Sequence, residues 1–243
     1  MDLDGVIWRG VETVPGAPEA VETLRRRGAD FAFVTNSAAR TPAQVAQKLA
    51  SHGIPDAEAH VITSSMAAAA MVEPGSRAFV VGSDGLRGAM IERGVEIVDA
   101  AAAEVVAVGI TPDFDYTAMT AAMRAIRSGA RFIATNDDAT FPDADGLLPG
   151  NGALVAAIAA CAETEPEIAG KPHPPIAAFV RERLGDEGVM IGDRPETDGL
   201  FAQSVGYDFA LVLSGVIGAD DLPVEPAPRF VADDILTLLH DLL

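Results

Sequence analysis

Short runs that are apolar at every position recur along this chain, most of them followed by a stretch with helix signals, and that alternation constrains the fold more than any other feature. The runs are Phe31-Ala32-Phe33-Val34, Ala78-Phe79-Val80-Val81, Val105-Val106-Ala107-Val108, Phe132-Ile133-Ala134, Val189-Met190-Ile191 and residues 209–213. A strand exposed on one face would alternate apolar and polar residues; these do not, so they read as strands buried on both faces. The intervening segments carry helix signals. Pro18 sits in a first helical turn, Val21 and Leu24 share a face, and Gly28 follows Arg25-Arg26-Arg27 as a stop. Thr41-Pro42-Ala43-Gln44 forms a capping box, with Gly53 closing that helix. Further helices are expected over residues 85–92, 116–128, 153–162 and 176–184. Strand followed by helix, repeated, points to a parallel sheet covered on both faces.

The chain is long enough to bury a sizeable core, with 243 residues of which 49% are hydrophobic. A formal net charge of −19 argues against a reader of nucleic-acid backbones, which are themselves polyanions. The lone Cys161 excludes an internal disulfide and fits a reducing compartment. No basic N-terminal segment leads into an apolar stretch, and charged, Gly or Pro residues interrupt each hydrophobic run well short of a membrane span. The expectation is a soluble, cytoplasmic protein without a membrane partner.

Polar signals stand at the ends of several expected strands. Asp2-Leu3-Asp4-Gly5 opens the chain, Thr35-Asn36-Ser37 follows the run ending at Val34, Lys171 lies between Gly170 and Pro172, and Gly192-Asp193 follows Ile191 with Asp198 five residues on. Each has an ordinary explanation when taken alone. Asp-x-Asp-Gly is commonly a turn, Thr-Asn-Ser can cap a helix, a Gly-Lys-Pro turn can be a surface loop, and Gly-Asp can join strand to helix. In an open parallel sheet, however, the carboxyl ends of the strands share one edge, so such residues converge however far apart they lie in sequence.

Taken together, in this order and spacing, the four signals resemble the motifs of the haloacid dehalogenase-like hydrolases. The resemblance is to the type IIA branch, NagD-like and p-nitrophenyl-phosphatase-like. It implies an α/β fold with a Rossmann-like, doubly wound parallel sheet as core and an inserted α/β cap domain of the type IIA kind. The expected division is core in 1–75 and 167–243, with the cap in 76–166. It also implies Mg²⁺-dependent hydrolysis of small phosphate monoesters, such as polyol, sugar or nucleotide phosphates with glycerol phosphate among them, through an aspartyl phosphate.

Residue by residue, the resemblance makes Asp2 the nucleophile and Asp4 the acid and base. Lys171 offsets charge and holds a phosphate oxygen, while Thr35, Asn36 and Ser37 bind the remaining phosphate oxygens. Asp2, the Asp4 carbonyl and Asp193 hold Mg²⁺, and Asp198 supports the metal's water shell or the lysine. Asn136 or Asp138, with Phe141, lie where the family's cap turns toward the substrate; a hairpin or capping loop is an equal reading of that segment. A homodimer is a modest expectation, because caps in this branch mediate dimers.

Other signals are assigned to structure. Trp8 is read as packing, Gly82 to Gly88 as helix capping because its glycine spacing misses the dinucleotide fingerprint, and Gly146 to Gly152 as a tight connection. His173 is read as a loop residue, and His52, His60 and His240 lack a zinc pattern. The family has an apolar strand before its nucleophile, whereas only Met1 stands before Asp2 here. The expectation from that difference is a nucleophile on an unpaired chain end. Two further readings therefore stay open: a non-catalytic or weakened binding or regulatory protein on the same fold, and a phosphotransferase.

Overall fold

Two strands expected to be buried on both faces pair with each other in the first unit. In the computed structural model, which describes residues 1–143 and 146–242, Val189–Gly192 pairs in parallel with Asp208–Val212, and that strand pairs in parallel with Phe230–Ala232. Phe33–Thr35 pairs with Val61–Thr63. Residues 1 and 2 lie between these two groups of strands. The Met1 amine donates to the Ala32 carbonyl at 2.8 Å, and the Met1 carbonyl accepts from Val34 N–H at 2.8 Å. On the other side, Asp2 N–H donates to the Ile191 carbonyl at 2.8 Å. One residue bonding a neighbour's carbonyl and, two residues on, its N–H is the parallel pattern. The expectation of an unpaired nucleophile is thus corrected: residues 1 and 2 have hydrogen-bonded backbone on both sides.

The chain divides into two compact units. The first comprises Met1–Thr35, Pro42–Ile62 and Lys171–Leu243. Its core gathers Leu3, Val6, Ile7, Phe33, Ile191, Ala210 and Val212 with helix residues Val21, Leu24, Val45, Leu49, Ile235 and Leu238. The helices Ala17–Arg26 and Pro42–Ser51 lie where capping and periodicity place them. The first carries proline in its opening turn and Arg25 and Arg26 in its last, which complements the helix dipole. Pro174–Leu184 follows the same rule, with proline at its start and Gly185 just past its end.

The second unit comprises Asn36–Thr41 and Thr63–Gly170. Its parallel sheet runs in the order Glu167–Ile168, Arg131–Ala134, Val105–Val108, Arg77–Val81, Glu96–Ile97. Val105–Val108 lies in the middle and is buried at every position, as its uninterrupted apolar sequence requires. The helices Tyr116–Arg127 and Asn151–Ala162 pack on each other and share a core of Val106, Val108, Ile126, Phe132 and Ile158. Thr140–Asp143 and Gly146–Pro149 form an antiparallel hairpin.

The units differ from the expected segments in three places. Residues 63–75 join the second unit because the alanine-rich helix Ser64–Ala70 packs on Asp84–Glu92. Residues 167–170 join it because Glu167–Ile168 is an edge strand of its sheet. Residues 36–41 join it because the backbone there meets the second helix closely: a Cβ on Gly85 would lie 2.5 Å from the carbonyl oxygens of Ala38 and Arg40. Among the described residues, no helix is long and apolar enough to cross a membrane.

Candidate active site

Asp2 and Asp4 owe their placement to a turn that reverses the chain as soon as it leaves the sheet. Gly5 has φ 82°, a left-handed conformation that glycine adopts without steric cost. Ile7 N–H returns to the Leu3 carbonyl at 2.8 Å, Gly5 N–H donates to the Trp8 carbonyl at 2.7 Å, and Ser214 Oγ donates to the Gly5 carbonyl at 2.7 Å. The loop is therefore held from inside and from the end of the Asp208–Val212 strand. Asp2 is half-buried and Asp4 exposed. Trp8 Nε1 donates to Asp4 Oδ1 at 2.8 Å. Loss of water around the carboxyl where the loop folds over it, then the Asp2 charge, push Asp4 above the usual range although the residue as a whole is exposed, and the indole hydrogen bond opposes this.

Lys171 enters the same cluster from a distant part of the chain. Its Nζ donates to Asp2 Oδ1 and to Asp198 Oδ1, both at 2.7 Å, and its side chain is 2% exposed. Burial alone would lower the ammonium pKa; the Asp198 and Asp2 carboxylates overturn that and hold it above its ordinary value, so the lysine stays charged.

Asp193 and Asp198 divide their work. Residues Pro195–Gly199 form a π-helical turn in which Asp198, Thr197 and Gly199 N–H groups all reach the Arg194 carbonyl. This turns Asp198 back so that its Oδ2 accepts from the Asp193 and Arg194 N–H groups, both at 3.2 Å, while Oδ1 accepts from Lys171. Both oxygens are occupied. Asp193 Oδ2 accepts Val216 N–H at 2.8 Å, but among the described residues its buried Oδ1 has no hydrogen-bond partner. Burial, with the Asp2 and Asp198 charges, pushes the Asp193 carboxyl up to about 7.

An unpartnered buried carboxylate oxygen is costly unless something positive completes it. One oxygen each from Asp2, Asp193 and Asp198 lie within 4.8 Å of one another, a hard oxygen set suited to a small divalent cation. The residues present thus fit such a metal, with Asp193 Oδ1 the donor left open for it.

Thr35 ends its strand, buried, within the first unit. Asn36 and Ser37 belong to the second unit. There Asp138 Oδ2 accepts from Asn36 Nδ2 at 3.0 Å and from Asn136 Nδ2 at 2.6 Å, so the expected phosphate-loop asparagine and the expected specificity asparagine meet on one carboxylate. Phe141 stands on the hairpin strand Thr140–Asp143, exposed, outside that network.

Several supporting residues escaped the sequence reading. Gly215 and Val216 cradle Asp193: a Cβ on Gly215 would lie 2.1 Å from Asp193 Oδ2. The signal for this loop was the Leu213-Ser214-Gly215 break after an apolar run. Asn151, read as part of a plain connection, is buried, and its Nδ2 donates to the Asn136 carbonyl at 2.8 Å. Gly150 and Gly152 lie so close to the Asp138 and Asp137 carbonyls that a Cβ would come within 2.2 Å.

A family model described as haloacid dehalogenase-like hydrolase matches residues 1–96, and a second, HAD-hydrolase-like, matches residues 168–238. The chain is 40% identical over 243 residues to the 5'-nucleotidase YutF of Bacillus subtilis, covering 98% of this chain and 94% of that protein. The chain belongs to the haloacid dehalogenase-like hydrolases.

Solved structures agree with that placement. A p-nitrophenyl phosphatase from Archaeoglobus fulgidus superposes on this haloacid dehalogenase-like hydrolase with a TM-score of 0.93 at 30% identity, covering 99% of this chain and 97% of that one. A glycerol phosphate phosphatase from Mycobacterium tuberculosis in complex with magnesium superposes with a TM-score of 0.89 at 33% identity, covering 98% and 74%. Like these type IIA relatives, this haloacid dehalogenase-like hydrolase is a phosphoric monoester hydrolase with a Rossmann-like core and an inserted α/β domain.

Proposed function

We propose that the protein hydrolyses small phosphate monoesters with Mg²⁺, through an aspartyl phosphate on Asp2. The observation that carries this reading is the buried Lys171, which bridges Asp2 and Asp198 beside the open oxygen of Asp193. A phosphomonoester dianion repels a carboxylate nucleophile, so positive charge must be fixed where the two meet. Asp2, the Asp4 carbonyl and Asp193 would hold the metal, which supplies further charge neutralisation and orients the phosphoryl group when bound.

The protein's own groups do the remaining work. Lys171 holds a phosphoryl oxygen while Asp2 attacks phosphorus in line. Asp4 gives a proton to the departing alkoxide, becomes a carboxylate, and then takes a proton from the water that cleaves the aspartyl phosphate. Thr35 and the backbone amides of Asn36 and Ser37 bind phosphate oxygens. Asp198 holds Lys171 and the backbone at residues 193 and 194 in place.

The inserted domain acts as a cap that limits the leaving group to a small polyol, sugar or nucleoside, with Asn136 and Phe141 contacting it. Glycerol phosphate is a good first substrate, since one structural relative is named for it. The setting is cytoplasmic. The hydrogen-bonded seating of Asp2 in the sheet weighs against a weakened, non-catalytic reading. Phosphate release should be measured from p-nitrophenyl phosphate and glycerol phosphate, with Mg²⁺ and with chelator. Asp2→Asn should abolish it; undiminished turnover by that variant would overturn the nucleophile assignment.

A further inference from the structure

The indole of Trp8 is more tightly determined than a packing residue requires. The residue is 2% exposed, yet its one polar atom is spent on the side chain of Asp4 and on no backbone group. The ring is fixed on several sides. His52 stacks on it with centroids 5.0 Å apart and planes 26° apart, and Lys48 Nζ lies 3.9 Å from its centroid. His52 is itself held, its Nδ1 within 2.8 Å of Thr13 Oγ1. Thr13 in turn pairs with Trp8 across the short hairpin of Trp8–Arg9 and Glu12–Thr13. The backbone adds a bridge between Asp4 and Trp8 and the bond from Gly5 N–H to the Trp8 carbonyl. Such fixing of an indole N–H against an otherwise exposed carboxylate is an arrangement that orients the carboxylate.

We propose that Trp8 is a positioning residue that holds the Asp4 carboxyl for proton transfer. The inference rests on the reading of Asp4 as acid and base. Indole N–H is a donor only, so the oxygen facing it must accept. A carboxyl's carbonyl oxygen is a better acceptor than its hydroxyl oxygen, so the bond to Oδ1 favours the proton on Oδ2. In the first step the Asp2 oxygen bonds phosphorus, the ester P–O bond breaks, and the Oδ2 proton passes to the alkoxide. In the second, water loses a proton to Oδ2 as its oxygen bonds phosphorus and the Asp2–phosphorus bond breaks. Trp8 holds Oδ1 through both, so the same oxygen gives the proton and takes one back. A carboxylate free to rotate would lose the geometry on which proton transfer depends.

The test is leaving-group dependence. An alkyl phosphate such as glycerol phosphate needs a proton on its departing oxygen, whereas p-nitrophenolate leaves without one. The ratio kcat/KM reports the steps up to aspartyl-phosphate formation, so it isolates the acid role. Trp8→Phe keeps an aromatic ring against Lys48 and His52 and removes the N–H. Its kcat/KM should fall by about 10- to 100-fold on glycerol phosphate and by less than about 3-fold on p-nitrophenyl phosphate, part of the total that an acid supplies. Asp4→Asn, which removes the acid outright, should show the same selectivity more strongly.

If Asp4→Asn is selective and Trp8→Phe lowers both esters equally or neither, Trp8 only packs and the inference is overturned. If Asp4→Asn shows no selectivity, the acid reading of Asp4 fails, and the positioning role falls with it. Should Trp8→Phe not fold, β-(3-benzothienyl)alanine at this position keeps the indole's shape without its N–H, and the same pair of ratios decides the matter.

Discussion

Lys171 and Asp198 meet at 2.7 Å with both side chains out of solvent, 2% and 0% exposed. A buried ion pair of this kind adds little net stability, because desolvation offsets its attraction, but breaking it strands a charge. Lys171→Met should therefore lower unfolding free energy by about 3–5 kcal/mol in urea titrations of the metal-free protein. It should also reduce kcat by at least about 100-fold, as loss of a fixed electrostatic contact to the reacting group does. A variant with normal turnover would show that the lysine serves the fold alone.

Gly215 offers a test of the metal site that leaves the proposed ligands untouched. A Cβ there would lie 2.1 Å from Asp193 Oδ2, so Gly215→Ala must displace the carboxylate. Support of this sort is worth about 10- to 100-fold in metal affinity. The Mg²⁺ concentration giving half-maximal activity should rise by that order. An unchanged Mg²⁺ titration would remove Asp193 from the ligand set.

Metal-free protein should lose stability as pH rises toward neutrality. Asp193 titrates near 3.8 in the unfolded chain but is pushed up to about 7 in the folded protein by burial and its acidic neighbours. Between those values the folded state holds a proton that the unfolded state releases, so the contribution of this group falls with rising pH across that window. Mg²⁺ binds the deprotonated form. The rise in Tm on adding Mg²⁺ should be larger at pH 8 than at pH 5; an equal rise at both would mean that Asp193 is not coupled to the metal.

In the inserted unit, Asn151→Leu should be costly. Its Nδ2 donates to the Asn136 carbonyl at 2.8 Å, and the residue is buried, so the apolar replacement leaves that carbonyl without its donor. The expected loss is about 1–3 kcal/mol of unfolding free energy. Calorimetry should register it; a Tm within a degree of the parent would show that the backbone there finds another partner.

The strands most legible in the sequence were those with uninterrupted apolar runs, such as Val105–Val108 and residues 209–212 of the Asp208–Val212 strand, because burial on both faces leaves no room for polar residues. Helices with caps and proline starts, Ala17–Arg26 and Pro42–Ser51, were legible for local reasons. The short helices Ser64–Ala70 and Leu200–Val205 were not, since an alanine run and a six-residue segment carry little periodicity and form only through packing. The pairing of residues 1 and 2 between two strands was equally hidden, because it depends on partners near positions 33 and 191.

The sequence by itself determined the alternating α/β class, the polar signals at strand ends and the family they resemble, all of which are local patterns. Only the tertiary structure decided which oxygen of Asp193 is left open, why both oxygens of Asp198 are committed, and that the Trp8 indole donates to Asp4. The physical reason is common to all three. A hydrogen bond spans about 3 Å in space but has no fixed separation in sequence. Lys171 thus reaches Asp2 across 169 positions as directly as Trp8 reaches Asp4 across four.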